Sequence, residues 1–457
     1  MNGRVGLSAE DMPSFTDKNV GMSSRDSELA YFLHHDISYR RERFGCAVLS
    51  RARGATRFYN DAASAILEAC IHPRTVGELY SRLTWDKSTN SEELAEFLDK
   101  LADDEVLEKI AVGSIPEKSE VRTFFTDVTE FPSTHLYAPL AVEAEITLKC
   151  FRSCSYCAYG SFPGFDISND LSSDEWASTL AHLRDSGVFY IRFTGGDPFA
   201  RKDFPEILSA ADALGLLITV GSDLTVLTED HADHLASLQH LLVLQTTLDG
   251  STPDTADTLR GNGNFARVER GAKLLHDRKV PFVVGTVLHR DNKDDIPSIA
   301  RLVASWGAAG YMVAPLYPAG RGNALNDLVL SNEELAEANR SYRRLVSDGV
   351  IPSADPSWNM VTADMDEEEL DSLWADQPYL VREPDRLMRI DPRGRCYTSI
   401  KLKDVVHDDV FAGNIREQPL LQIWHDAPQL VRLRGQNSHT SGFGPTFDIR
   451  TADISGE

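Results

Sequence analysis

The sequence predicts an α/β protein. Its centre reads as an incomplete barrel or open sheet of six strand–helix units, with a small α+β block ahead of it and a mixed block behind it. Two observations carry that prediction. Between Val142 and Gly322, apolar strand candidates alternate with amphipathic helical stretches. Before them, short strand-like runs give way to three short helical patterns. Composition sets the outer bounds. The chain has 457 residues, 42% hydrophobic and 25% charged, the values of a packed globular protein. Acidic residues number 70 against 46 basic, a formal net charge of −24. That balance argues against nucleic acid as a partner, because phosphate backbones need basic stripes. No apolar run is long enough to span a membrane. The first residues lack the apolar stretch of a secretory signal, so a cytoplasmic setting is expected. Six cysteines are too sparse for a disulfide scaffold.

Residues 1–29 and 437–457 read as flexible tails, polar and without period. The block 30–112 opens with the strand-like runs Ala47-Val48-Leu49 and Arg57-Phe58-Tyr59, parted by a turn signal at Arg53-Gly54. Ala62, Ala65, Ile66 and Ala69 then share a helical face. Thr75 with Glu78 forms a capping-box pattern before Val76, Leu79 and Leu83. Ser91 precedes a third helix carrying Leu94, Phe97, Leu98 and Leu101. Strands followed by three short helices predict a winged-helix-like unit or a generic α+β domain. Residues 113–140, with Pro116, Pro132 and Pro139, read as a linker.

The block 141–325 holds the strand candidates Glu145–Leu148, Phe189–Thr194, Leu216–Val220, Leu241–Leu248, Phe282–Leu288 and Tyr311–Ala314. A helix between the first two is bounded by the Ser172/Glu175 capping pattern and Gly187. Such alternation implies parallel strands with right-handed crossovers and chemistry at the strands' C-terminal ends. The block 326–436 is mixed. Its acidic run Asp364–Asp371 reads as a solvated helix face. Its last part reads as a few strands, a turn at Pro392-Arg393-Gly394, and a helix with Leu420, Leu421, Ile423 and Trp424.

The chemistry-bearing motif is Cys150-x₃-Cys154-x₂-Cys157, directly after the first strand of the central block. Three thiolates on one loop suit zinc or an iron–sulfur cluster. Structural zinc favours paired cysteine ribbons with four protein ligands. The remaining cysteines, Cys46, Cys70 and Cys396, are isolated, so the spacing favours a cluster with one open iron while leaving zinc as the alternative.

This motif, with Tyr156 before its last cysteine, resembles that of the radical S-adenosylmethionine (SAM) superfamily. Thr194-Gly195-Gly196-Asp197-Pro198 is similar to the family's Gly-Gly-Glu-Pro segment, with Asp in place of Glu. Thr247-Leu248-Asp249-Gly250 and Arg260-Gly261 resemble motifs of the peptide-modifying branch. Ser222-Asp223-Leu224-Thr225 stands where many members have Thr-Asn-Gly-Thr, and Pro315–Arg321 resembles the end of the family's barrel. The resemblance implies a partial (βα)6 TIM-like barrel. It implies one 4Fe–4S cluster on Cys150, Cys154 and Cys157, and SAM as second cofactor. It places Tyr156 near the adenine, the Gly195-Gly196-Asp197 backbone at the SAM amino group, Thr247 and Asp249 among the cofactor contacts, and Arg260 at the SAM carboxylate. Reductive cleavage of the sulfonium would yield a 5′-deoxyadenosyl radical.

The N-terminal block resembles the winged-helix leader-recognition domain of peptide maturases through Arg41–Gly45, Tyr59-Asn60, Thr75–Leu79 and Phe97–Leu107. Such domains take a peptide as an added strand, here beside Arg57–Asn60 and the start of the third helix. The C-terminal block resembles the SPASM/twitch extension through Pro392-x-Gly394-x-Cys396 and Gly413–Trp424. With Cys396 as its sole cysteine it is expected to hold no conventional auxiliary cluster; Cys396 reads as a buried structural residue and His407 as an ordinary surface histidine. The resemblance implies a maturase of a ribosomally made precursor peptide, fed by an external one-electron reductant such as flavodoxin or ferredoxin. The alternatives are a radical enzyme acting on a whole protein or small metabolite, and a non-catalytic metal-binding adaptor. No general base is assigned.

Overall fold

The computed structural model describes residues 29–52, 54–83, 90–114, 121–124, 136–351, 387–397 and 411–431. The tails, the acidic run Asp364–Asp371, His407, Arg53 and most of the expected linker lie outside the described residues. The chain divides into two compact units, Met1–His35 with Ala65–Val121, and Asp36–Ser64 with Arg122–Glu457. The block 30–112 therefore contributes to both.

The first elements are β1 (Leu29–Leu33), β2 (Ile37–Glu42), β3 (Gly45–Ser50), β4 (Ala55–Asn60), α1 (Asp61–Ala69), α2 (Val76–Arg82), α3 (Ser91–Asp103), β5 (Leu107–Ala111) and β6 (Arg122–Phe124). In the first unit β1 and β5 pair antiparallel, from Leu29 opposite Ala111 to Leu33 opposite Leu107. Thr75 and Glu78 form the expected reciprocal cap of α2. The cap of α3 differs from expectation by one residue. Asn90, not Ser91, accepts from the Glu92 and Glu93 amides, and Glu93 returns a bond to the Asn90 amide. Asn caps as well as Ser, and only this register puts a Glu at the third helical position. Leu94, Leu98 and Leu101 then form the buried stripe.

In the second unit β4, β3, β2 and β6 form a four-stranded sheet in that order. Patterning alone does not reveal β2, because its charged residues face inward. Arg40 is fully buried. Its Nε donates to Glu42 Oε1 at 2.6 Å, Nη1 to the carbonyls of Gly187 at 2.7 Å and Pro139 at 3.2 Å, and Nη2 to that of Ala138 at 2.9 Å. Glu42 Oε2 accepts from the Tyr137 amide at 2.8 Å. One ion pair thus ties the small sheet to the segment entering the barrel and to the end of its first helix.

The barrel continues with β7 (Ala141–Thr147), α4 (Ser173–Asp185), β8 (Tyr190–Gly195), α5 (Phe204–Ala213), β9 (Leu217–Gly221), α6 (Glu229–Ser237), β10 (Leu241–Thr247), α7 (Pro253–Asp257), α8 (Asn264–Asp277), β11 (Phe282–Leu288), α9 (Ile296–Ser305), β12 (Gly310–Pro315) and α10 (Asn332–Ser347). All six expected strands form, and β7 to β12 lie side by side in sequence order, each pair parallel. Ser172 and Glu175 cap α4 as expected. The α/β partial barrel is therefore the architecture. The C-terminal part adds β13 (Leu387–Ile390), β14 (Arg395–Tyr397), β15 (Gly413–Asn414) and α11 (Leu420–Asp426). β13 pairs parallel with β7, and β14 and β15 extend the sheet antiparallel. Cys396 is fully buried within the apolar core, beside Ile390, Ile423 and Trp424 in the same cluster.

Strand alternation decides what faces where. Val142, Ala144 and Ile146 on β7, Ile191 and Phe193 on β8, and Ile218 and Val220 on β9 join Trp176, Leu180 and Leu183 of α4 in the core cluster between sheet and helices. The residues between them are different: Glu143, Glu145, Arg192, Thr194, Gln245 and Thr247. A packed barrel of this class fills its interior with branched apolar side chains; this one has a polar lumen.

Replacing Arg40 with Met should destabilise the protein by about 3–5 kcal/mol, because Glu42 is left buried without its counter-charge. Burial already holds the Glu42 carboxyl above its usual range, with Arg40 opposing that shift. A raised native pKa favours the protonated native state, so the penalty should shrink as pH falls from neutral. Adding Glu42→Gln should recover part of the loss. Urea midpoints of the single and double variants check both statements; equal midpoints for wild type and Arg40→Met would refute them.

Candidate active site

The ends of β7 and β8 approach too closely for side chains. The Gly196 amide donates to Thr147 O at 2.7 Å and the Asp197 amide to Lys149 O at 2.9 Å. A Cβ on Gly195 would stand 2.0 Å from Thr147 O, and one on Gly196 2.2 Å from Lys149 O. Gly195 also has φ of +129°, which L side chains avoid. This junction launches the cysteine loop. Cys150 is buried, Cys154 and Cys157 are half-buried, and none is in a disulfide.

The loop is fixed from several sides. Its Cys150 amide donates to Phe162 O at 3.3 Å, and the Cys157 amide to Cys154 O at 3.2 Å. From beyond β12, Arg321 donates through its amide to Cys157 O at 3.1 Å, through Nε to Cys154 O at 2.9 Å, and through Nη2 to Ser161 O at 2.9 Å. Gly320 permits that approach: it has φ of +56°, and a Cβ there would meet Ala158 O at 2.4 Å. The Pro315–Arg321 segment singled out by sequence is thus the clasp of the cysteine loop.

All three cysteines line one cavity of about 340 Å³, with Tyr156, Gly196, Thr247 and Arg260. Gly195, Asp197 and Asp249 are not part of its lining. Asp197 is fully buried and its carboxylate is used internally. Oδ1 accepts from the Phe199 amide at 2.9 Å, and Oδ2 from Ser222 Oγ at 2.9 Å and the Asp223 amide at 3.0 Å. Burial, with the neighbouring Asp223 charge, pushes this carboxyl well above its ordinary value.

Tyr156, Asp249 and Arg260 form a triangle. The Tyr156 hydroxyl donates to Asp249 Oδ2 at 2.5 Å and accepts from Arg260 Nη1 at 2.5 Å. Asp249 Oδ1 accepts from the Val287 amide at 2.8 Å. The guanidinium lies 5.9 Å from the Tyr156 ring centre, within cation–π range. Burial pushes the Asp249 carboxyl up while Arg260 opposes it. For Arg260, burial works against the charge, but Tyr156, Cys154, Asp249 and Asp223 hold it well above its ordinary value.

Sequence reasoning assigned no role to several cavity residues, among them Arg152, Tyr159, Arg192 and Gln245. Tyr159 donates to Glu143 Oε1 at 3.1 Å, and so does Arg389 of β13. Arg192 Nη2 donates to Gln245 Oε1 at 2.5 Å. The available signal was the period of two: Gln245 stands two residues before Thr247, and Arg192 two before Thr194, so each pair shares a face.

Residues 144–303 match the Radical SAM superfamily. This chain carries a radical SAM domain, and the protein is a radical SAM enzyme. It is 28% identical over 315 residues to the PqqA peptide cyclase of Xanthomonas axonopodis pv. citri, covering 65% of this chain and 77% of that protein. It is 26% identical over 315 residues to the AdoMet-dependent heme synthase of Nitratidesulfovibrio vulgaris, covering 66% and 83%. In fold it is similar to Streptococcus suis SuiB in a crystal structure bound to the precursor peptide SuiA, with a TM-score of 0.66, 14% identity, and 88% and 90% of the two chains covered.

The superfamily's cofactors are a 4Fe–4S cluster and SAM, and the residues present fit them. Three free thiols open on one cavity, the soft donor set that such clusters take. Burial pushes the Cys150 thiol up, with Asp223 and Asp197 adding to it. Cationic metal reverses that preference on binding. Buried polar atoms on the wall await a polar ligand: Arg152 Nε and Asp223 Oδ2 have no hydrogen-bond partner among the described residues.

Gly196→Ala should cost most of the bound iron, because the new Cβ cannot coexist with Lys149 O. Arg321→Ala should lower iron content with a smaller effect on thermal stability, since it frees the carbonyls of Cys154 and Ser161 without opening the core. Iron per chain after anaerobic reconstitution, beside the melting temperature, reads both; wild-type iron in either variant would contradict the assigned role.

Proposed function

We propose that this enzyme is a maturase of a ribosomally made precursor peptide. The carrying observation is the cysteine trio opening on a cavity whose floor is the polar lumen of the barrel, in a chain related to a peptide cyclase over most of that relative's length. In this reading Cys150, Cys154 and Cys157 each ligate one iron of the cluster. Gly195, Gly196 and Asp197 shape the backbone beside the SAM amino group. Tyr156 lies at the adenine, Arg260 at the carboxylate, and Thr247 and Asp249 complete the surround. When bound, the two cofactors supply a 5′-deoxyadenosyl radical that abstracts hydrogen from the substrate. The chain's own residues orient and enclose it: Asp249 and Arg260 hold Tyr156, and Arg321 holds the loop.

The core segment of the peptide would enter past Tyr317, a cavity residue 45% exposed, and past Phe151 and Phe162, exposed on the cysteine loop. The leader would be read by the winged-helix-like block 30–112, where β4 ends the strand order of the small sheet. The remaining boundaries of the proposal are the linker 113–140, the barrel 141–325 and the SPASM/twitch-like extension 326–436. Flavodoxin or ferredoxin would supply the electron, in the cytoplasm. The net charge of −24 fits the absence of nucleic acid among the partners. A second reading, a small-metabolite substrate, is favoured by the similarity to a heme synthase.

No helix among the described residues is long and apolar enough to cross a membrane. Because β2, β3 and β4 belong to the barrel's compact unit, deleting residues 1–112 would damage the barrel itself. Competition by a free leader peptide is the cleaner test of leader recognition. Anaerobic incubation with a candidate precursor, SAM and reductant should change the precursor's mass and release 5′-deoxyadenosine. Cys154→Ala should abolish both iron and nucleoside. Turnover of a metabolite with every precursor left unmodified would favour the second reading.

A further inference from the structure

Two charged side chains on the cavity wall are nine-tenths buried and incompletely partnered. Arg152, in the cysteine loop, and Asp223, just past β9, have side chains each 7% exposed. Arg152 Nη2 donates to Gly261 O at 3.1 Å, which aims the guanidinium but leaves Nε without a hydrogen-bond partner among the described residues. Asp223 Oδ1 accepts from the Thr225 amide at 2.8 Å, and Oδ2 is left likewise. The two lie 3.9 Å apart, beyond hydrogen-bond distance. Buried polar atoms are ordinarily paired, so an orphan donor beside an orphan acceptor calls for a ligand.

The backbone that presents Asp223 is strained. Leu224 is fully buried with φ of +60°, a conformation rare for a non-glycine residue. The position matches the glycine of Thr-Asn-Gly-Thr in the family resemblance. Gly271 makes room: a Cβ there would stand 2.6 Å from Leu224 Cβ. The Asp223 amide is in turn fixed by Asp197 Oδ2 at 3.0 Å. Such over-determined strain clusters at ligand clamps.

We propose that Asp223 and Arg152 clamp the amino-acid end of SAM, Asp223 Oδ2 accepting from the ammonium and Arg152 Nε donating to the carboxylate. This rests on the radical SAM assignment of the cavity. A zwitterion carries a charged complement for each orphan atom, whereas an adenine offers only neutral ones and an apolar side chain none. The pair sits with the cysteines: Arg152 lies between Cys150 and Cys154 in the loop, and Arg152 and Asp223 line the same cavity as all three thiols. The Asp197 carboxylate, by contrast, is fully buried outside the cavity lining and is engaged by Phe199, Ser222 and Asp223. Arg152 joins Arg260 in facing the carboxylate.

The test is equilibrium binding, without turnover, to the full chain carrying its cluster. The two probes are SAM and its deamino analogue, in which hydrogen replaces the amino group. Asp223→Asn should weaken SAM by roughly tenfold or more, the loss of one charged hydrogen bond, and leave the analogue's affinity unchanged. Arg152→Gln should weaken both, since both keep the carboxylate. Iron content and the cluster's absorbance certify each variant. Equal SAM affinity in Asp223→Asn and wild type overturns the proposal. So does an equal loss of both probes in that variant, which is what a ribose contact would give. If the variants do not load a cluster, the wild type still decides, because a wild type that binds both probes equally has no ammonium clamp. A wild type that holds a cluster but binds neither probe would sink the SAM assignment itself, a result distinct from failure of the clamp alone.

Discussion

The close backbone contact between the ends of β7 and β8 is the constraint on which the site depends. Two carbonyls of the first strand's exit, Thr147 and Lys149, accept from the amides of Gly196 and Asp197. The parallel ladder is thereby carried past the regular strands into the start of the cysteine loop. Neither glycine could bear a side chain there. The same contact places Asp197 inward, where its carboxylate reaches across to Ser222 and Asp223 at the end of β9. One junction thus sets three successive strand ends: the cysteines after β7, the glycines after β8 and the acidic turn after β9. Asp in place of the family's Glu fits this role, since a shorter side chain suffices to bridge adjacent strand ends.

The barrel has two chemically opposed faces. Outward residues form a continuous apolar core with the helices, and burying each such Leu, Ile or Phe contributes roughly 1.5–3 kcal/mol. Inward residues hold one another by charge and hydrogen bonds, from Tyr159 and Arg389 on Glu143 to Arg192 on Gln245. The first face supplies the stability that lets the second be given over to ligands. Arg389 comes from β13, so the C-terminal extension contributes to the lumen as well as to the sheet.

Long-range arginines do much of the positioning. Arg40 joins sheet, entry segment and helix end. Arg321 clasps a loop more than a hundred and fifty residues earlier in the chain, reaching Cys154 O and Ser161 O. The planar guanidinium suits this task because its donors diverge in a fixed fork and can satisfy several carbonyls at once. In sequence Arg40 is a single letter without local pattern, and Arg321 shows only as the end of the Pro315–Arg321 segment. Arg152 was visible only as a member of the cysteine motif, and Asp223 only within a weak match whose glycine is here a strained leucine.

Much was legible from the chain alone, for local reasons. The six strands declare themselves by apolar runs, α2 and α4 by reciprocal caps, and the three thiols that line the cavity by their fixed spacing, because each is encoded within a few neighbouring residues. The start of α3 was misplaced by one position because Asn90 and Ser91 are both good caps, and only the returning bond from Glu93 chooses between them. Strand β2 was hidden because its charges are satisfied by carbonyls distant in sequence. Tertiary structure alone decided that Tyr156, Asp249 and Arg260 meet, that Asp197 spends its carboxylate on neighbouring strand ends, and that Arg152 and Asp223 are buried with atoms to spare. Those outcomes depend on which strand ends are brought together in space, and the spacing of residues along a chain does not carry that information.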